Sequence, residues 1–330
     1  MARRAEGAGE AGGRDTSSFA SVFEAVVENV TSVISGKEAA IRLALVAIAA
    51  EGHLLVEDVP GVGKTSLAKA LAFSLGLEWR RIQFTPDLLP SDVTGVNVYE
   101  RSTESFCFRP GGVFANVVLG DEINRASPKT QAALLEAMEE RQVTVDSVTH
   151  PLPEPFVVIA TQNPLEHEGT YPLPESQLDR FLMRVRMGYP GRNAELAMMD
   201  LHASGGAVDA LTPVADAGSV AFMIKTAESV YVAPALKGYI VDLAAASRRH
   251  PAVALGMSPR AALSLQRAAR ALAASRGREY VTPDDVKALV PAVLEHRLVL
   301  GADAQLAGMT MADVLGEILQ AVPVPSGREL

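Results

Sequence analysis

Cysteine is nearly absent from this chain, which has one, Cys107, in 330 residues. A single cysteine excludes an internal disulfide and any cluster of thiolate metal ligands. Because Cys107 lies between Phe106 and Phe108, we interpret it as a small apolar side chain rather than a nucleophile. A chain without disulfides fits a reducing compartment, and we therefore predict a cytoplasmic protein.

Excess positive charge and long apolar runs are also missing. Lys and Arg number 30 against 39 Asp and Glu, a net charge of −9, whereas proteins that bind nucleic-acid backbones broadly carry surplus basic residues. The longest apolar run, Leu43 to Ala50, is too short to span a bilayer. The first 18 residues have no apolar core, so we predict a disordered tail there rather than a signal peptide.

The rest of the composition is that of a globular protein, with 48% hydrophobic and 21% charged residues. Apolar runs separated by helical patterns predict an α/β domain with a parallel five-stranded sheet between helices. The predicted strands are the run beginning at Leu54 and the segments Trp79–Phe84, Val117–Leu119, Phe156–Ala160 and Leu182–Met187. Ligands of such sheets bind at the carboxyl ends of the strands. Residues 87–112 are irregular, with a possible hairpin between Val96–Val98 and Ser105–Phe108.

Strand patterns fade after Tyr189-Pro190-Gly191, which we interpret as a linker. Helical patterns follow at 194–202, 220–229, 233–247, 259–275 and 283–300, and once more at 311–322. We therefore predict a tail at 1–18, a nucleotide-binding αβ domain at 19–190, an all-α domain at 191–300, and a C-terminal helix and tail at 301–330.

The segment Pro60-Gly61-Val62-Gly63-Lys64-Thr65-Ser66 joins the first strand to a helix, as a phosphate-binding loop does. Its backbone N–H groups and the helix N-terminus can bind phosphate oxygens. Lys64 can reach the β and γ phosphates, and the Thr65 hydroxyl can bind Mg²⁺. The usual pattern begins with Gly six positions before the Lys; here that residue is Asp58.

Polar residues that suit phosphate chemistry follow two other strands. Asp121 can hold Mg²⁺, and Glu122 can polarise the water that attacks the γ phosphate. Taken alone, such an acidic pair is more often a solvated loop. Asn163 can orient the same water, or can equally be a turn residue before Pro164.

Two arginines are candidates for stabilising the charge of the transferred phosphoryl group. Arg180 follows Asp179 and could instead form a surface ion pair with it. Arg260 begins a predicted helix of the second domain and could reach the γ phosphate from there, or be an exposed first-turn side chain.

These segments together resemble the MoxR family of AAA+ ATPases. The resemblance rests on five motifs in order along residues 30–325: Val59–Thr65, Gln83–Asp92, Asp121–Ala126 with the helix Lys129–Met138, Ala160–Pro164, and Leu178–Phe181. It implies an AAA+ core with a C-terminal lid, and ATP and Mg²⁺ as cofactors.

The resemblance also implies roles for single residues. Lys64 and Thr65 correspond to Walker A, Asp121 and Glu122 to Walker B, Asn163 to sensor 1 and Arg260 to sensor 2. Arg180 corresponds to a finger that reaches the ATP of a neighbouring subunit. Besides Asp58, a second departure is Ser35-Gly36-Lys37, where Val-Gly-Gln is more usual.

For the whole protein, the resemblance implies a ring, usually a hexamer, that acts as a chaperone-like ATPase on protein partners. Those partners often carry von Willebrand A domains. Two alternatives remain at this point: a nucleic-acid motor built on the same core, and a nucleotide-gated interaction module with little turnover. The presence of Glu122 and Arg180 argues against the second alternative.

Overall fold

A computed structural model describes residues 6–59, 61–163, 170–189, 191–192, 195–196 and 207–325. Its centre is a five-stranded parallel sheet with strand order β2-β5-β8-β1-β9. The strands are β1 (His53–Glu57), β2 (Trp79–Gln83), β5 (Val117–Asp121), β8 (Val157–Gln162) and β9 (Phe181–Val185). The five predicted strands and their parallel arrangement are thus confirmed.

Helices cover both faces of this sheet. Those of the αβ region are α1 (Glu6–Thr31), α2 (Glu38–Ala49), α3 (Lys64–Ser74), α4 (Pro90–Thr94), α5 (Pro128–Glu140) and α6 (Glu175–Leu178). Neighbouring residues of β1 face opposite sides, so Leu54 and Val56 pack into one hydrophobic core and Leu55 into the other. The alternation explains why a strand buried on both faces has a continuous apolar sequence.

The N-terminal helix α1 begins at Glu6, inside the region predicted as a tail. Thr16 and Phe19 are buried, and the Thr16 hydroxyl donates to the Gly277 carbonyl over 3.4 Å. Ordered packing therefore starts before residue 19, because α1 lies against α2, α3 and the C-terminal helices.

Two antiparallel hairpins project from the αβ region. The first, β3 (Gly95–Glu100) with β4 (Ser105–Pro110), confirms the predicted pairing in the irregular stretch. The second, β6 (Gln142–Val145) with β7 (Val148–Pro151), was not predicted. Its turn residues Asp146 and Ser147 have positive φ, but the sequence lacks the glycine that usually marks such a turn.

The C-terminal region is helical. Its helices are α7 (Ala217–Ser229), α8 (Pro234–Arg249), α9 (Pro259–Ser275), α10 (Pro283–Leu294), α11 (Ala302–Leu306) and α12 (Met311–Ala321). These confirm the predicted helices except at two places. The helix predicted at 194–202 lies largely outside the described residues, and the one predicted at 283–300 ends at Leu294.

After α10 the chain forms β11 (Val299–Leu300), which pairs with β10 (Val253–Leu255) in a small two-stranded sheet. The predicted all-α domain thus contains one short sheet. Helix α12 packs on α8 and α10 and buries Val314, Leu315 and Ile318 in their shared core. The C-terminal helix is therefore part of this region rather than a separate tail.

None of the helices in the described residues combines the length and the apolar character needed to cross a bilayer.

Candidate nucleotide-binding site

The phosphate loop lies where β1 ends and α3 begins. Gly61 and Gly63 have φ values of +82° and +90°, and a Cβ at Gly61 would contact nothing within 4 Å. Backbone conformation, not space, therefore requires glycine here, and the loop stays open to a ligand. Pro60 lies outside the described residues, Val62 is buried, and Ser66 lies half-buried in the first turn of α3.

Lys64 is the first residue of α3 and is 9% exposed. Its ammonium donates to the backbone carbonyls of Asp58 (2.7 Å) and Gln162 (3.4 Å). These carbonyls follow β1 and end β8, so the ammonium lies between two strand ends. A buried ammonium beside the N-terminus of a helix is suited to binding phosphate oxygens.

Asp121 ends β5 next to the loop. Its Oδ1 accepts a hydrogen bond from the Thr161 hydroxyl over 2.6 Å, and its Oδ2 lies 3.4 Å from the Thr65 hydroxyl oxygen. Carboxylate and hydroxyl oxygens are the ligands that Mg²⁺ prefers. Thr65 and Asp121, the residues predicted to hold Mg²⁺, thus place oxygen atoms of the type that fits a magnesium ion close to each other.

Glu122 follows directly, in a left-handed conformation with φ of +58°. Its N–H donates to the Thr161 hydroxyl (2.9 Å), so Thr161 joins both acidic residues. Its carboxylate accepts from Gln83 Nε2 and Arg125 Nη1, each over 2.9 Å. These contacts hold a potential base at the same edge as the phosphate loop.

Asn163 follows β8 and is 4% exposed. Its backbone carbonyl oxygen accepts a hydrogen bond from Asn124 Nδ2 over 3.5 Å. Since β8 lies between β1 and β5 in the sheet, Asn163 falls between the phosphate loop and the acidic pair. The sheet thus brings together residues that are distant in sequence: Lys64, Thr65, Asp121, Glu122 and Asn163.

Sequence reasoning missed Arg81 and Gln83, which lie on the edge strand β2. Arg81 donates to Asp121 Oδ2 through Nε (3.1 Å) and Nη2 (2.7 Å), and Gln83 holds Glu122. The two side chains share one face because they are two residues apart. The alternation of polar Arg81 and Gln83 with apolar Ile82, in a predicted strand, is the sequence signal that could have identified them.

Arg180 lies at the opposite, amino edge of the sheet. It precedes Phe181, which pairs with His53 at the start of β1, whereas the phosphate loop follows the other end of β1. The four steps along β1 span roughly 13 Å at about 3.3 Å per residue. Arg180 Nη1 donates to the Leu135 carbonyl over 2.5 Å. Arg180 is therefore positioned away from the phosphate loop of its own chain.

Arg260 lies at the same amino edge, where it forms an ion pair with Glu139 at the end of α5. The expectation that it reaches the phosphate loop of its own chain is therefore not met. The reason is tertiary: α9 begins against α5 and the start of β9, and its N-cap Ser258 donates to Asp179 Oδ2 over 3.2 Å.

Arg180 and Arg260 border a cavity of about 570 Å³ whose lining includes six arginines. The other four are Arg141, Arg267, Arg270 and Arg297. Burial lowers the pKa of Arg297 to about 10, partly offset by the charge of Asp179 at 3.2 Å, so Arg297 stays protonated at neutral pH. Three carboxylates also line the cavity and pair with Arg141, Arg260 and Arg297. The guanidinium groups remain in excess, as suits an anionic group from outside the chain.

Two histidines at this edge, His53 and His296, are buried. Burial lowers the pKa of His53 to about 4 and that of His296 to about 3. His53 Nδ1 accepts from the Val158 N–H over 3.0 Å, and its Nε2 lies 3.0 Å from the Met138 carbonyl. Both contacts are satisfied only by the neutral ring.

Comparison with protein-family models gives two matches. Residues 53–183 match the ATPase family associated with various cellular activities (AAA), and residues 245–318 match an AAA lid domain. The second match extends through α12, in agreement with the packing of that helix.

Relatives with similar sequences span almost the whole chain. The chain is 50% identical to the uncharacterised protein YeaC of Bacillus subtilis over 92% of this chain and 94% of that protein. It is 41% identical to Chaperone MoxR1 of Mycobacterium tuberculosis over 92% of this chain and 82% of that protein.

A solved structure shows the same fold. The crystal structure of a predicted ATPase from Cytophaga hutchinsonii superposes with a TM-score of 0.89 at 36% identity, covering 95% of this chain and 98% of that one. Together with the phosphate loop, the acidic pair and the lid, these likenesses show that the chain belongs to the MoxR family of AAA+ ATPases.

Proposed function

We propose that this chain is a Mg²⁺-dependent ATPase that forms a ring and remodels or matures protein partners. Membership of the AAA+ ATPases supports nucleotide chemistry, and the carboxyl edge supplies the groups that hydrolysis needs. The name Chaperone MoxR1, carried by a relative at 41% identity, supports action on proteins.

The residues at the carboxyl edge divide the chemistry among them. The phosphate loop and Lys64 bind the phosphates. Thr65 and Asp121 hold Mg²⁺, which neutralises charge on the phosphate oxygens when it is bound. Glu122 orients the attacking water and accepts its proton, and Asn163 fixes the position of the same water.

One observation supports a site shared between subunits. Arg180 and Arg260 lie together at the amino edge, beyond the reach of the phosphate loop in their own chain. We therefore infer that both arginines stabilise the phosphoryl group held by a neighbouring copy. Head-to-tail contacts of this kind close into rings when the rotation permits, and a hexamer is the size that the family suggests.

A nucleic-acid motor is the weaker candidate, because a net charge of −9 does not favour binding to a nucleic-acid backbone. We propose protein partners instead, including proteins with von Willebrand A domains, and a cytoplasmic location.

The first experiment measures ATP turnover per subunit against protein concentration, with Mg²⁺ and with EDTA. We expect turnover that requires Mg²⁺ and rises with concentration, in parallel with assembly followed by sedimentation. Turnover per subunit that is constant while the protein assembles would contradict the shared site.

The second experiment mixes two inactive variants, Lys64→Ala and Arg180→Ala. Each variant lacks one half of the proposed site, so mixed rings contain some interfaces with both halves intact. We expect partial recovery of ATP turnover on mixing. A mixture as inactive as its components would contradict action across the interface.

A further inference from the structure

Two charged side chains hold the backbone just before the linker between the αβ and helical regions. The Lys37 ammonium donates to the carbonyls of Met187 (2.7 Å) and Gly188 (2.8 Å). The Asp58 carboxylate accepts from the Gly188 N–H over 2.5 Å. Both peptide groups of this short segment are therefore bound by charged groups, which make the stronger class of hydrogen bond.

The Lys37 contacts are specific rather than incidental. Lys37 is only 8% exposed, and burial of an ammonium is unfavourable unless hydrogen-bond acceptors surround it. Gly188 has a left-handed backbone with φ of +63°, and its N–H and carbonyl take part in these contacts. Since Tyr189-Pro190-Gly191 follows at once, the direction in which the chain leaves the sheet is set at this residue.

Asp58 also contacts the phosphate-binding lysine. Its backbone carbonyl accepts from the Lys64 ammonium over 2.7 Å, and its carboxylate accepts from the neighbouring Val59 N–H over 2.8 Å. A continuous series of hydrogen bonds thus runs from Lys64 through Asp58 to Gly188 and on to Lys37.

Asp58 departs from the general phosphate-loop pattern, although the substitution is common in this family, and Lys37 departs from the Val-Gly-Gln that is more usual in the family. Asp58 replaces the first glycine of the phosphate loop, and Lys37 stands where the Val-Gly-Gln segment normally ends. The structure brings these two departures to one peptide segment, although they are 21 residues apart in the chain.

We propose that Asp58 and Lys37 are positioning residues that transmit phosphate binding at Lys64 to the linker at Gly188, and so to the angle of the helical region. This inference rests on the proposed ATPase function. Phosphate oxygens compete with the Asp58 carbonyl for the Lys64 ammonium, so binding alters the position of Asp58. The carboxylate of Asp58 then moves the Gly188 amide that it holds, while Lys37 fixes the adjoining carbonyls.

The test uses variants that leave the phosphate loop able to form. Asp58→Gly introduces the residue that is usual at this position, and Asp58→Asn keeps one acceptor for the Gly188 N–H. Lys37→Met keeps a chain of similar length without the ammonium. Glu38→Gln is the matched control, because Glu38 neighbours Lys37 but pairs with Arg42.

Three quantities are measured for each variant in the full-length protein: the Kd for ATP, kcat, and the ATP-dependent change in distance between spin labels on the αβ and helical regions. For Asp58→Gly and Lys37→Met we expect a Kd within about threefold of wild type and a kcat about tenfold lower, with the distance change lost. Asp58→Asn should recover part of kcat and part of the distance change. The Asp58→Gly/Lys37→Met double variant should have a kcat no lower than that of either single variant.

Several outcomes would overturn the proposal. One is Asp58→Gly with wild-type kcat and a normal distance change. A second is an Asp58→Gly protein whose Kd rises more than tenfold while kcat is unchanged, since Asp58 would then only shape the loop. A third is additive losses in the double variant. If wild-type protein neither binds nor hydrolyses ATP with Mg²⁺, the proposed function itself fails, which is a distinct result.

Discussion

At the carboxyl edge of the sheet, a glycine loop, one lysine and two carboxylates lie close together. At the amino edge, six arginines line a cavity; one follows the end of α5, one precedes β9 and four belong to the helical region. The first edge offers oxygen ligands and backbone N–H groups, as Mg²⁺ and phosphate require. The second offers guanidinium groups but has no phosphate loop of its own.

The difference teaches that the two edges are complementary rather than redundant. A phosphate loop binds a triphosphate, and arginines stabilise the charge that develops when it is cleaved. Because a single chain keeps these groups at opposite ends of its strands, the function that we propose gives one copy two halves of different sites. The following predictions test this division, beginning with the largest expected effect.

Arg180→Ala should lower kcat by about 10³- to 10⁵-fold, the range reported for arginine fingers, while ATP binding stays near wild type. Rapid-quench turnover and equilibrium titration with ATP measure the two quantities. Arg109→Ala, an exposed arginine on β4, is the control and should change neither. A loss of ATP affinity equal to the loss of kcat would mean that Arg180 contributes to ATP binding rather than to cleavage.

Glu122→Gln should lower kcat by about 10²- to 10⁴-fold, because the amide cannot accept the proton of the attacking water. The bound nucleotide should remain ATP, which chromatography of the denatured complex can show. Wild-type turnover in this variant would remove Glu122 from the role of base.

Lys64→Ala should weaken ATP binding by at least about 100-fold, since it removes charge-assisted hydrogen bonds to two phosphates. Titration calorimetry measures the Kd. Lys69→Ala is the control: Lys69 lies on the same helix but pairs with Asp209. Comparable losses in the two variants would mean that the helix, and not the Lys64 ammonium, determines affinity.

The smallest effect concerns stability at the amino edge. His53 has a pKa lowered by burial to about 4, below the unfolded value of about 6.5. The unfolded chain therefore binds more protons in this window, and the free energy of unfolding should fall as the pH drops from about 6.5 to about 4. For one group, the free energy of unfolding changes by at most about 1.4 kcal/mol per pH unit. The total loss over this pH range is roughly 2–3 kcal/mol.

Urea unfolding at several pH values measures this loss. His53→Gln, whose side chain does not titrate, should have a shallower pH dependence than wild type. His250→Gln is the control, because His250 pairs with Glu317 on the far side of the helical region. An unchanged slope in His53→Gln would assign the acid sensitivity to other groups, His296 among them.

Local sequence patterns predicted the carboxyl edge well. β1, β5 and β8 each have an apolar run followed by polar residues, so Lys64, Asp121 and Asn163 could be placed at one edge before their contacts were known. The rule that parallel strands bind ligands at their carboxyl ends supplied the rest.

The amino edge was harder to predict, because its contacts come from the packing of one region on another. Arg260 was identified, but nothing in its local sequence shows that α9 begins against α5. Likewise Asp58 and Lys37 were visible only as departures from a pattern. Their shared contact with Gly188 depends on how β9 lies beside the phosphate loop.

Asp179 links the helical region to the arginine that follows it. Its carboxylate is bound by Ser258 and Arg297, and Arg180 is the next residue along the chain. Rotation of the helical region would therefore displace Arg180, the arginine that we propose to act on the adjoining subunit. In the ring that we propose, rotation of the helical region in one subunit would control ATP cleavage in the next subunit. Cleavage would then proceed round the assembly in a single direction.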